Sequence, residues 1–269
     1  MHISEINIYP VKSLKGTGLT EATVEQRGLQ FDRRWMLVDD DNRLITQREV
    51  PRMALISVRI EDGNLDVRFE DRHIDIPHAP HQGDTEDVVV WQNIVPADVY
   101  DPETNAWFSR ALNVNCRLVA MPETTRRTID PEYAVKPDED IVSFADGYPF
   151  LLIGEGSLAD LNSRLDTPVP MNRFRPNFVV SGSQAFAEDS WKRIRMGETI
   201  FHVVKPCARC VLTTVDQAKG EKTGKEPLQT LSTFRNREGK VLFGQNLIAE
   251  NPGGVIRIGD EIEILTPDL

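Results

Sequence analysis

Phe201-His202-Val203-Val204-Lys205-Pro206-Cys207-Ala208-Arg209-Cys210-Val211-Leu212-Thr213-Thr214-Val215 is the stretch on which the reading of this chain turns. Its two apolar, β-branched arms have strand character, and they enclose a short loop that carries two thiols and a guanidinium. A fixed positive charge beside a thiol stabilises the thiolate, the form that binds soft metals or acts as a nucleophile. The expectation is a β-rich protein with its chemistry at a strand end. A bare Cys-x-x-Cys leaves four readings open. A structural zinc site needs four Cys or His ligands, whereas the chain has one further Cys and five scattered His. A thioredoxin-like pair should open a helix, whereas β-branched residues follow here. Two inert buried thiols, or one thiolate ligand to a soft transition metal, are the other two.

Outward from this motif, the first 115 or so residues read as a β-rich unit. Ile3, Ile6 and Ile8 lead into Tyr9-Pro10-Val11-Lys12-Ser13, and Trp35-Met36-Leu37-Val38 joins Leu44-Ile45-Thr46 through Asp39-Asp40-Asp41-Asn42, a loop of hairpin type. Ile56 to Ile60 and Leu65 to Phe69 alternate around Asp62-Gly63-Asn64, a second hairpin with strong turn chemistry. Ala106 to Leu112 has helical spacing. Pro122 to Asp140 is rich in Pro, acidic residues and Arg without periodicity, and reads as a long connection or lid. In the second half, Ser157 to Leu165 predicts a helix with Ser157 as N-cap, Leu228 to Phe234 a further helix, and Val255 to Leu265 a closing hairpin turning at Gly259-Asp260. The fold class expected is mainly β with peripheral helices (α+β), as two β-barrel units over residues 1–117 and 118–269.

At 269 residues and 40% hydrophobic content the chain can bury a real core, and three cysteines with no secretory signal point to a reducing cytoplasm rather than a disulfide scaffold. No apolar run approaches the roughly 20 residues of a membrane span. A net charge of −11 disfavours general nucleic-acid binding, which depends on Lys and Arg neutralising phosphates. It leaves room for one small anion held by a local basic cluster. Lys12-Ser13, Arg33-Arg34 and the Arg173/Arg175 pair within Asn172-Arg173-Phe174-Arg175-Pro176-Asn177-Phe178 are the candidates, since guanidinium binds phosphate bidentately and ammonium adds a point charge. His73, His78 and His81 cluster around a Pro- and Gly-marked loop and read as solvated side chains, while His2 and His202 sit in strand patterns.

Taken in order, Tyr9-Pro10-Val11-Lys12-Ser13, Phe31-Asp32-Arg33-Arg34, Ile45-Thr46-Gln47-Arg48, Ser143-Phe144-Ala145-Asp146-Gly147-Tyr148-Pro149, Phe174-Arg175-Pro176-Asn177, Lys205-Pro206-Cys207-Ala208-Arg209-Cys210, Phe243-Gly244-Gln245-Asn246 and Ile258-Gly259-Asp260 resemble the MOSC-domain proteins with an N-terminal MOSC β-barrel. The likeness is to the bacterial YcbX type and its relative, the mitochondrial amidoxime reducing component, and it spans nearly the whole chain. The resemblance implies a molybdenum cofactor, Mo-molybdopterin, with Cys210 as the metal ligand and sole catalytic residue named, and Lys12, Ser13, Arg34, Ser157, Arg175, Asn177 and Arg209 as cofactor contacts. Cys207 matches the first cysteine of the motif and is assigned no metal bond. The implied activity is reduction of N-hydroxylated compounds, such as hydroxylamino-purines and amidoximes, to amines and amidines; the alternative is a carrier of the molybdenum cofactor or of a persulfide. Pyridoxal phosphate binding and detoxification of N-hydroxylated bases accompany the family as associated properties. YcbX-type proteins continue into a ferredoxin-like domain with a four-cysteine iron–sulfur motif. Three cysteines cannot build that cluster, so the expected electron source is a separate ferredoxin, flavodoxin or flavoprotein reductase, unless the chain is a piece of a longer protein.

Overall fold

Ile3, Ile6 and Ile8 all face one core, although spacings of three and two cannot share a face of a regular strand. In the computed structural model, which describes residues 1–80 and 84–265, a β-bulge between Ile3 and Glu5 inserts the extra residue that brings the alternation back into phase. The strand His2–Ile8 pairs with Thr17–Leu19 on one side and Phe178–Ser181 on the other. The sheet continues through Phe150–Gly154, Lys240–Ala249, Thr199–Ala208, Arg193–Met196 and Ile262–Leu265. His2 then bridges Glu261, and the Ile262 N–H donates to the Met1 carbonyl at 3.0 Å, so the sheet closes into a barrel. Phe150, Phe178 and Phe201 fill its interior with ring centroids 5.3 to 5.9 Å apart.

Phe150–Gly154 is apolar on both faces because both are covered. Phe150 and Leu152 point into the barrel, whereas Leu151 and Ile153 join an outer core with Leu161, Leu231 and Phe243 beneath the helices Glu155–Asn162 and Leu228–Phe234. Earlier in the chain, a four-stranded sheet orders Trp35–Val38, Arg117–Ala120, Asn93–Val99 and Thr85–Val90, and a meander pairs Ser57–Glu61, Asn64–Phe69 and Arg72–Pro77. Its helix, Pro102–Leu112, is N-capped by Asp101. Trp35, Leu37, Val67, Phe108 and Leu118 form the core between these pieces. The other face of the four-stranded sheet packs Met36, Val88 and Val119 against Phe144, which anchors the loop that follows. Among the described residues no helix is long and apolar enough to cross a membrane. The molecule is mainly β with peripheral helices, as expected.

The hairpin at Asp62-Gly63 is present, with φ of 45° and 82° giving the two left-handed residues of a type I′ turn. Trp35–Val38 also turns back through Asp39–Asn42, with Val38 bridging Leu44. Three expectations change. The closing segment is not a hairpin: Ile3 N–H donates to Asp260 C=O and Gly259 N–H to Ile3 C=O, so the first strand holds the turn and the arms separate. Val255–Arg257 pairs with Glu21–Glu25, and Ile262–Leu265 with Arg193–Met196. Val211–Thr214 is a 3₁₀ turn rather than a strand, because Thr213 and Thr214 hydroxyls bond the carbonyls of Cys210 and Val211 three residues back. The helix expected from Ser157 starts at Glu155. The Glu188 carboxylate accepts the Gly154 N–H at 3.1 Å and the Ser157 hydroxyl at 2.7 Å, capping the helix from outside and leaving Ser157 within its first turn.

Candidate functional site

The strand Thr199–Ala208 slips register twice against Lys240–Ala249, between Val203 and Lys205 and between Pro206 and Ala208. Pro206 has no N–H to give the ladder, and irregular pairing is where a strand tolerates it. Opposite, Gly244 has φ of 81° and no room for a side chain, since a Cβ would lie 2.6 Å from Ile153 Cγ1 and 2.9 Å from the Leu152 carbonyl. Cys207 therefore lies next to the end of a bulged strand instead of sitting in a loop, and Cys210 stands before the 3₁₀ turn, its carbonyl accepting from the Thr213 N–H at 3.1 Å. Both thiols face a cavity of about 760 Å³, open mouth included, with Lys12, Ser13, Arg33, Asp146, Tyr148, Arg173, Arg175, Asn177, Arg209 and Asn246 in its walls.

Interleaving of the chain's two ends puts Lys12 here. It is buried, and its ammonium donates to Asp146 Oδ1 at 2.5 Å. Burial lowers Lys12 to about 8 against the opposing pull of Asp146. The cavity wall withholds some water from the Asp146 carboxyl, which would raise it, but the side chain is exposed at the mouth, and the charge and hydrogen bond of Lys12, with Arg48 and Arg33 behind, hold it well below the usual carboxylate range. The same oxygen accepts from Trp91 Nε1 at 3.1 Å, and the Arg48 guanidinium lies 4.3 Å from the Trp91 ring centroid. Arg127 ties the loop down by donating to the carbonyls of Ser143, Ala145 and Asp146. Below, the guanidinia of Arg33 and Arg175 rest 4.4 and 4.1 Å from the Tyr9 ring centroid, and burial pushes the Tyr9 phenol up to about 12 with both arginines opposing. Ser13, Arg33 and Arg175 have φ of 67°, 52° and 56°, so three non-glycine cavity residues hold left-handed backbone, a strain that collects at ligand sites.

Arg209 donates to the carbonyls of Phe243 and Phe174 at 2.8 and 3.0 Å. Burial raises the Cys207 thiol, with Arg209 opposing it. Four buried polar atoms of the cavity residues have no partner: Arg175 Nη2, Arg209 Nη2, Arg173 Nε and Tyr148 Oη. Buried donors are almost always satisfied in folded chains, so this set fits an anion with several acceptor oxygens, as the phosphate of a pterin cofactor would supply.

The structure thus brings Lys12, Ser13, Arg175, Asn177, Arg209 and Cys210 around one cavity. Asn177 also links strands, accepting from Leu151 N–H and donating to the Asn7 carbonyl. Arg34 and Ser157 are not in its walls. Arg34 pairs with Glu25, and the Ser157 hydroxyl accepts from Phe186 N–H at 2.8 Å while donating to Glu188. His2 is exposed at the barrel edge, His73 is exposed, His78 packs on Phe31 and Trp35, His202 bonds Glu250, and His81 lies outside the described residues. Among the described residues no three His, Cys, Asp or Glu are gathered to hold a metal ion, so no four-ligand zinc site forms around Cys207 and Cys210. Sequence reasoning assigns no role to Asp146, Tyr148 or Arg127. Asp146 and Tyr148 stand inside the Ser143 to Pro149 motif, which is the signal that points to them; Arg127 has none.

Two family models match the chain, the MOSC N-terminal beta barrel domain over residues 1–115 and the MOSC domain over residues 139–263. The chain belongs to the MOSC family. Among its MOSC relatives, mitochondrial amidoxime-reducing component 1 of Mus musculus is 36% identical over 98% of this chain and 82% of that protein. The Homo sapiens protein of the same name is 33% identical over the same shares. The molybdenum cofactor sulfurase of Oryza sativa subsp. japonica is 33% identical over 91% of this chain but 32% of its own length, so the chain spans about a third of that protein.

Proposed function

We propose that this MOSC protein is a molybdenum-cofactor-dependent reductase of N-hydroxylated compounds that takes its electrons from a separate redox protein in the cytoplasm. The observation that carries the reading is the convergence of Cys210 with Lys12 and the unpaired guanidinium nitrogens of Arg175 and Arg209 on one cavity. The amidoxime-reducing relatives support it from outside. Cys210 is the soft ligand for molybdenum, and Lys12, Ser13, Arg175, Asn177 and Arg209 hold the anionic pterin. When bound, the cofactor supplies the two electrons of the balanced change R–NH–OH + 2 e⁻ + 2 H⁺ → R–NH₂ + H₂O. Asp146, kept ionised by Lys12, accepts hydrogen bonds from the substrate's N–H groups. Tyr148, whose phenol burial pushes up, stays protonated and offers its O–H at the wall as a hydrogen-bond donor to the substrate.

Purified protein from a cofactor-competent host should contain molybdenum and pterin and reduce a hydroxylamino-purine with a chemical electron donor. Cofactor present without turnover would favour a carrier instead, and cofactor absent with the cavity intact would remove the proposal.

A further inference from the structure

A second cavity, about 1170 Å³ with its open mouth, adjoins the first through Asp146, Tyr148, Cys207 and Asn246. Its far wall is the tip of a tight hairpin, where Asn236 pairs Val241 and Arg237 pairs Lys240 across Glu238-Gly239, with φ of 51° and 77°. Cross-strand partners project side by side, so Arg237 and Lys240 put two like charges on one face, an arrangement that destabilises a hairpin unless an anion lies between them. Lys205 adds a third cation, its Nζ 3.6 Å from the Tyr133 ring centroid and 5.7 Å from that of Tyr148. Glu132, Asp130 and Glu238 act on Tyr133, yet no carboxylate pairs with Lys205, Arg237 or Lys240 among the described residues. Asp146 and Glu238 share this wall, but on a chain of net charge −11 three cations that no carboxylate pairs outnumber them in one concavity and mark a place for an anion. The rings of Tyr133 and Tyr148, edge to face at 6.2 Å, offer a wall for a planar group.

We infer that this cavity is the substrate's antechamber and that it takes a planar base carrying a phosphate monoester. Resting on the reductase reading, the preferred substrate is the N-hydroxylated nucleoside monophosphate rather than the free base or nucleoside. The phosphate lies on Arg237 and Lys240, the base beside Tyr133 and Tyr148, and the N–OH end enters past Cys207 toward Cys210.

With molybdenum-loaded protein and a chemical electron donor, kcat/KM for a hydroxylamino-purine nucleoside 5′-monophosphate should exceed that of its nucleoside by about tenfold. The double variant Arg237→Gln/Lys240→Gln should erase that advantage and leave the nucleoside unchanged. Adenosine 5′-monophosphate, which cannot be reduced, serves as a binding probe in calorimetry and should bind the native chain but not the double variant. Equal kcat/KM for nucleotide and nucleoside, or nucleotide binding indifferent to the double change, overturns the inference. So does a double variant impaired only when a protein donor replaces the chemical one, since the cations would then serve donor docking. Nucleotide binding that depends on Arg237 and Lys240 in a protein that reduces nothing supports the subsite while removing the reductase reading.

Discussion

Replacing Asp146 with Asn should bring the pH limit of cofactor retention down into the neutral range. Lys12 faces Asp146 at 2.5 Å and sits at about 8, the balance of a burial that lowers it and a carboxylate that raises it. An anion bound beside Lys12 raises it, so binding takes up a proton above about pH 8 and affinity falls with rising pH by at most about tenfold per unit. Asn keeps the shape and still accepts hydrogen bonds from Lys12 and Trp91, but only Arg127 and Arg33 remain as charges, and both push Lys12 further down. An opposite charge this close is worth about 1–3 units. The Asp146 side chain is 68% exposed, so screening puts the loss at the low end, about 1 unit or ~1.4 kcal/mol. The limit should therefore move from about pH 8 to about pH 7. Well below it the sign reverses, because Lys12 is charged in both proteins and the variant lacks a carboxylate that repels the phosphate. Pterin fluorescence after gel filtration across this range should give two curves that cross. Parallel curves, or identical ones, would refute the claim that Asp146 sets the charge of Lys12. Global stability carries the same signature. The depressed Lys12 makes stability grow as pH rises from about 8 toward the ordinary lysine range, where the unfolded chain binds the extra proton, while the Asp146 contribution is present above the ordinary carboxylate range and is lost as pH falls below that range toward the depressed value.

Three further outcomes follow from the same geometry. Cys210→Ser should lose molybdenum and reduction together, because a hydroxyl is a harder and poorly ionised ligand, whereas Cys207→Ser keeps much of both; metal analysis beside steady-state rates decides it, and an active Cys210 variant ends the ligand assignment. Ser157→Ala strands the Phe186 N–H and one Glu188 hydrogen bond at a cost of about 1–3 kcal/mol in thermal unfolding with pterin content unchanged, while Arg175→Ala lowers pterin content by removing a charge-assisted contact worth about 1.5–3 kcal/mol; the reverse pattern would put Ser157 in the site and Arg175 outside it. NADPH alone should not drive reduction, since the sequence has no recognisable flavin or nicotinamide fingerprint and no iron–sulfur ligand set; vigorous turnover without a second protein would show the donor argument to be wrong.

Features written in neighbouring residues are legible in the sequence itself. Asp62-Gly63 needs only its own φ preferences, and Leu228 to Phe234 only its own spacing, and both elements stand where the sequence places them. Closure of the barrel depends on pairings such as Ile3 with Val180 and His2 with Glu261, which local pattern cannot announce. The same limit explains why Gly259-Asp260 reads as a hairpin turn: its partner is the first strand, more than 250 residues away in the chain. The site divides along the same line. Cys210, Lys12 and Arg175 are visible because their motifs match a family, but which residue of a motif reaches the cavity is decided by backbone geometry. Arg33, left-handed at φ 52°, lines the cavity, while its neighbour Arg34 turns to Glu25. Asp146 shows what tertiary placement adds. On the sequence it stands in the Ser143 to Pro149 motif with no role assigned, and only the folding of residue 12 against residue 146 makes it the counter-charge that sets a buried lysine. That pair spans the two halves of the chain, so cofactor binding and the union of the halves draw on the same contact, and loss of either charge should be felt in both.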